Sequence, residues 1–156
     1  MTTKRAKTGA SPIVWVLNGP NLNLLGKREP EIYGRTTLPE IETACQARAK
    51  ALNLAVDFRQ TNHEGELVTW IQQSKGQASG MILNAGAYTH TSVALLDALN
   101  FAQVPTIEVH LSQPLNREPF RHHSFVTPAA QGLISGLGAH GYELALEALA
   151  RLIHKS

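Results

Sequence analysis

Short apolar runs alternate along this chain with stretches of helical periodicity, and most runs stop at a turn-forming or polar residue. Residues 13–17 are apolar and partly β-branched and stop at Asn18-Gly19-Pro20, the pattern of a buried strand entering a turn. Residues 38–52 carry helical spacing, residues 55–58 read as a second strand, and residues 66–73 as a helix. Residues 81–83 form a third strand. The helix expected over 91–101 turns Val93, Ala94, Leu96 and Leu99 to the core. Residues 106–109 and 133–134 supply two more strands, and 142–153 a closing helix. Strands that alternate with helices build parallel βαβ units. The expected fold is α/β and flavodoxin-like: a five-stranded parallel sheet with about four helices, packed on both faces.

In open sheets of this kind ligands gather beyond the carboxyl ends of the strands. The residues just past each strand are therefore the first place to look for function, and they are polar each time. The first strand runs into Asn18 and Asn21, the second into Arg59, Gln60 and Asn62, the third into Asn84, and the fourth into His110 and Ser112. Asparagine, arginine and histidine on converging edges suit a small, hydroxylated anion.

Composition narrows the classes. The 156 residues fit one domain, with 43% hydrophobic and 17% charged residues, the balance of a globular core. Residues 1–10 read as a disordered tail carrying Lys4, Arg5 and Lys7, and residues 11–156 as a single catalytic domain. Net charge is only +2, with no basic stripe for nucleic acid. No apolar run approaches the roughly 20 residues of a membrane span, and no apolar segment succeeds the tail as in a secretory signal. The one cysteine, Cys45, cannot form an internal disulfide. It reads as a core residue and fits a reducing cytoplasm.

Several motifs point to chemistry and fail on inspection. Gly136-Leu137-Gly138-Ala139-His140-Gly141 spells the dinucleotide fingerprint, but that fingerprint needs a further strand and an acidic residue about 20 positions on. A tight turn and close helix–sheet packing explain these glycines better. His63-Glu64 begins like a zinc motif without completing it. Adjacent His122 and His123 would point different ways in a regular element. No G-x-S-x-G elbow is present.

Two residues fare better. His110 ends a buried strand two positions after Glu108, so the two share a face, and a carboxylate beside an imidazole orients it and favours the protonated form of a general acid. Tyr33 lies in a loop with Lys27 and Arg28, and neighbouring cations favour a tyrosinate base. Without further context, Tyr33 would pass for a packing residue.

Several segments together resemble the type II 3-dehydroquinate dehydratases. They are the run from Leu17 through Asn18-Gly19-Pro20-Asn21 to Gly26, then Arg28-Glu29-Pro30 and Tyr33-Gly34, and Asn62-His63-Glu64-Gly65. They continue with Ile82 through Asn84-Ala85-Gly86 to Ser92, Ile107-Glu108-Val109-His110-Leu111-Ser112, Phe120-Arg121-His122-His123-Ser124, and Gly132 to Tyr142. The resemblance runs in order over residues 13–153. It implies a hydro-lyase that reversibly removes water from 3-dehydroquinate to give 3-dehydroshikimate. The elimination is anti and passes through an enolate, in the shikimate pathway or in quinate catabolism.

By the same resemblance Tyr33 is the base, and Arg28, on a mobile lid over residues 23–34, sustains it. Asn21 positions a water for the enolate, and His110 is the acid with Glu108 as its partner. Asn84 and the backbone amides of Leu111 and Ser112 hold the substrate carboxylate, and His90 and Arg121 hold ring hydroxyls. Asp97 reaches a neighbouring subunit's site in a homododecamer. No metal or organic cofactor is needed, because the substrate ketone is the electron sink. A Schiff-base mechanism needs a desolvated lysine, and none of Lys4, Lys7, Lys27, Lys50, Lys75 and Lys155 stands just after a core strand. The competing class is a ligand-binding or signalling module of the same fold. It lacks a reason for the paired acid and base, and neither an acidic cluster nor a phosphate loop stands at the strand ends.

Overall fold

A computed structural model describes residues 9–155. Lys4, Arg5 and Lys7, expected in a tail, lie outside them. The strands are β1 (Ile13–Asn18), β2 (Ala55–Gln60), β3 (Gly80–Asn84), β4 (Thr106–His110) and β5 (Gly132–Ser135). They form one parallel sheet in the order β2-β1-β3-β4-β5. The helices are α1 (Pro30–Tyr33), α2 (Leu38–Ala51), α3 (Glu64–Ser74), α4 (Val93–Ala102) and α5 (His140–Lys155). The one-turn α1, led by Pro30, lies inside the stretch that periodicity leaves as a loop. Among the described residues no helix is long and apolar enough to cross a membrane.

Successive strand residues point to opposite faces, so β1 divides its side chains between two cores. Val14 and Val16 join Ile41 and Cys45 of α2 and Leu146 and Leu149 of α5. Trp15 and Leu17 join Leu67 and Ile71 of α3 and Leu95 and Leu99 of α4. Cys45 is the core residue its context implies: burial, with Glu143 and Glu42 nearby, pushes its thiol up to about 12, far from a reactive thiolate.

The glycines after β5 close a turn. Gly136 and Gly138 adopt φ of +82° and +60°, which a residue with a Cβ resists. A Cβ on Gly141 would lie 3.4 Å from Ile134 and 3.5 Å from Val109, so this glycine lets α5 pack close to the sheet.

The expected inward face of α4 is corrected. Its buried stripe is Leu95, Ala98, Leu99 and Ala102, whereas Val93 is 51% exposed and Ala94 is also exposed. Four apolar residues in a row at 93–96 cover more than one helix face, so spacing alone does not choose between them. Packing against α3 and the Ser92 cap, whose Oγ accepts the Leu95 N–H at 3.0 Å, set the phase. Such a cap contributes about 1 kcal/mol.

Candidate active site

From β1 the chain crosses to β2 on one side of the sheet, and from β3 it crosses to β4 on the other. The crevice between β1 and β3 is thus a switch point, the place where such folds bind ligands. The register brings Asn18 beside Asn84 at their carboxyl ends. Gly19 lets the two edges close: a Cβ there would lie 2.4 Å from the Ala85 carbonyl oxygen. The pocket over these ends is lined by Asn21, Asn84, His90, His110, Leu111, Ser112 and Arg121, and by Arg28 and Tyr33 from the segment that includes α1. Arg117 completes its cationic wall. Among the described residues, three arginines and no carboxylate line this pocket, a field that draws anions.

The acid end is built on β4. Glu108 and His110 share a face of the strand, both buried, and the imidazole Nε2 lies 2.5 Å from Glu108 Oε2. Burial pushes the Glu108 carboxyl up, but hydrogen bonds from His110, Thr127 and Ser124 together outweigh it and hold the group below its ordinary value. Glu108 is therefore ionised and His110 Nε2–H is the donor. Nδ1 is then the nitrogen that can serve a ligand.

His90 stacks on His110, with ring centroids 6.4 Å apart, and its Nδ1 lies 2.8 Å from the His123 carbonyl oxygen. Burial, with the charges of His110 and Arg121, lowers its pKa despite that bond. A neutral ring donating from Nδ1 offers Nε2 as an acceptor for a hydroxyl.

At the other end, two guanidinium groups lie against the Tyr33 ring: Arg28 Cζ at 5.1 Å and Arg117 Cζ at 5.2 Å from its centroid. Arg117 also reaches Ser112 Oγ at 3.4 Å. Asn21 sits at the rim in a left-handed conformation, φ +67°, its N–H held by Asn62 Oδ1 at 3.0 Å. Asn84 is braced from below: its amide donates to the Tyr142 hydroxyl at 2.9 Å, and its Oδ1 accepts the Gly86 N–H at 3.2 Å. The Tyr142 hydroxyl in turn donates to Asn18 Oδ1 at 2.6 Å. One amide N–H of Asn84 is left for a ligand. The Leu111 and Ser112 carbonyls accept from Gly138 and Gly136, each at 3.0 Å, which holds that loop against the pocket.

The model for "Dehydroquinase class II" matches residues 12–150. The chain belongs to the class II dehydroquinase family. Similar relatives in this family include "3-dehydroquinate dehydratase 2" of Pseudomonas putida, 54% identical over 144 residues, or 92% of this chain and 97% of the relative. The "3-dehydroquinate dehydratase" of Hyphomonas neptunium is 60% identical over 139 residues, covering 89% and 93%. The type II dehydroquinase of Propionibacterium acnes, a crystal structure, superposes with a TM-score of 0.87 at 43% identity, covering 92% of this chain and 99% of that one.

In this class II dehydroquinase the expected site residues gather in one pocket with two exceptions. Glu108 stands behind His110 as its partner rather than in the pocket wall. Asp97 lies on an outer face of α4 and does not line the pocket of its own chain. Arg59, expected among the polar strand ends, belongs elsewhere: it forms a bidentate pair with Asp57 and lies 4.1 Å from the Trp15 ring. β2 runs two residues further than its apolar run, which turns Arg59 onto the Trp15 face. Sequence reasoning missed Arg117, Tyr142, Ser124 and Thr127 as parts of this site. Ser124 closes the matching run at 120–124 and Tyr142 the one at 132–142, the available signals; Arg117 and Thr127 look like ordinary surface residues.

Proposed function

We propose that this chain is a 3-dehydroquinate dehydratase of the shikimate pathway, converting 3-dehydroquinate to 3-dehydroshikimate by anti elimination through an enolate. The observation that carries the reading is a tyrosine with two arginines against its ring and a carboxylate-paired histidine on one cationic pocket, within a family whose relatives bear that name. Tyr33 takes the proton from the carbon beside the ketone. The developing enolate is stabilised by a water that Asn21 positions. His110 acts as the imidazolium: it keeps Nε2–H on Glu108 and gives its Nδ1 proton to the departing hydroxyl, which leaves as water, because hydroxide leaves poorly without an acid. Asn84, Leu111 and Ser112 hold the carboxylate, and His90 and Arg121 the ring hydroxyls.

Residues 11–156 act as one catalytic domain in this reading, in the cytoplasm, with Asp97 completing a neighbour's site in a dodecamer. No cofactor enters, since the ketone accepts the electron pair. The test is direct turnover of 3-dehydroquinate, followed by the ultraviolet absorbance of the conjugated product, with a chelator present and then with borohydride added alongside substrate. Full activity in both is expected. No turnover, or substrate-dependent inactivation with a mass increase on one lysine, would overturn the enolate reading.

A further inference from the structure

The acid pair is supported by two hydroxyls that the reaction chemistry does not require. Ser124 Oγ lies 2.9 Å from Glu108 Oε2, and Thr127 Oγ1 lies 2.5 Å from Glu108 Oε1. Ser124 Oγ also accepts the N–H groups of Val126 and Thr127, each at 3.1 Å. A hydroxyl has two acceptor positions and one proton. With both acceptor positions taken by backbone, the Ser124 proton has Glu108 as its acceptor. The turn that aims it is anchored in the core by Val126, which is fully buried, and by the Phe125 N–H to the Thr89 carbonyl at 2.9 Å. Glu108 is 1% exposed, so without such donors a charged form would be costly there.

We propose that Ser124 and Thr127 are positioning residues for the acid: their hydroxyls hold the Glu108 carboxylate ionised and in one orientation, and so keep His110 Nε2 on Glu108 and Nδ1 aimed at the pocket. The proposal rests on the reading of His110 as the acid. Among the described residues, the charged and titratable groups around Glu108 are few. β3 places Leu83 and β5 places Leu133 beside it. His110 faces it from its own strand, His90 from the turn before α4, and Arg121, His122 and His123 share the cavity on its far side. A carboxylate that loses a hydrogen-bond donor binds its proton more tightly. Once Glu108 is protonated, His110 loses its anionic anchor.

The experiment uses the full chain and Thr127→Val, which deletes the hydroxyl at nearly constant volume. Thr127 is otherwise exposed, so the core is not opened. Thr127→Ser keeps the hydroxyl, and Ser124→Ala gives a second reading where it folds. The Glu108 side-chain carboxyl is titrated by carbon-13 NMR without substrate, and kcat and KM are measured against pH. In Thr127→Val the Glu108 titration, and with it the acidic limb of kcat, should rise by about one pH unit. Turnover should fall about tenfold with KM changed much less, and Thr127→Ser should return both toward wild type. An unmoved Glu108 titration in folded Thr127→Val overturns the proposal, as does a loss of turnover with no shift of the limb and no rescue by serine. The NMR titration reads Glu108 whether or not the wild type turns over dehydroquinate, so failure of the proposal is distinct from failure of the assigned function.

Discussion

The Tyr142 hydroxyl on α5 accepts a hydrogen bond of 2.9 Å from the Asn84 amide at the end of β3, 58 residues earlier. The same hydroxyl donates to Asn18 Oδ1 at the end of β1. A side chain from the closing helix thus ties together the two strand ends on either side of the switch point. Burial raises the Tyr142 pKa well above its ordinary value, so it remains a neutral donor.

Tyr142→Phe removes that tie and leaves two buried amide groups short of a partner. Stability should fall by about 1–3 kcal/mol, read as a lower urea midpoint at unchanged slope. KM should rise more than kcat falls if Asn84 holds the substrate carboxylate as proposed. An unchanged midpoint and KM would sink this role for Tyr142.

Tyr33→Phe keeps the ring against Arg28 and Arg117 and removes only the hydroxyl. Turnover should drop at least about a hundredfold, the low end for a lost general base, with KM changed far less and the circular dichroism spectrum retained. Near-normal turnover would assign the base to another group.

His110→Ala should slow loss of hydroxide more than loss of the proton. Exchange of the substrate's α-proton with deuterated solvent should then outpace dehydration, measured side by side by proton NMR and absorbance. Equal loss of both steps would count against His110 as the acid.

Acid should weaken the fold in two stages. His90 titrates lower in the folded chain than its ordinary 6.5, so its charging opposes folding, and stability falls as pH drops through and below that value. Glu108 titrates below its ordinary 4.5. Its contribution is complete above that value and is lost as pH falls through the folded one. Urea midpoints taken from pH 8 downward should decline first near 6.5 and again below 4.5. A midpoint that stays flat from about pH 8 to about pH 5 would show that His90 is not charged against the fold.

Asp97 lies on an outer face of α4, and the same helix exposes Val93 at 51% and Phe101 at 57%, apolar area suited to an interface. Light scattering should find a large closed oligomer, most consistent with a dodecamer. A stable, fully active monomer at assay concentration would refute the shared site.

Much of this was legible in the chain because it is local. A run such as Val14 to Leu17 can be buried on both faces only inside a sheet covered by helices, and the β/α alternation then dictates parallel strands and a site at their carboxyl ends. The pairing of Glu108 with His110 comes from the two-residue period of a strand. Other features depended on which elements meet. The inward face of α4 obeyed α3 and the Ser92 cap rather than spacing, and Arg59 turned to Trp15 because β2 outran its apolar residues. Two of the donors to Glu108 come from 16 and 19 residues away, and the tie between β1 and β3 comes from α5. Periodicity reports which side of an element is apolar. Which hydroxyl ends beside which carboxylate is set by the packing of whole elements, and only the tertiary structure decided it.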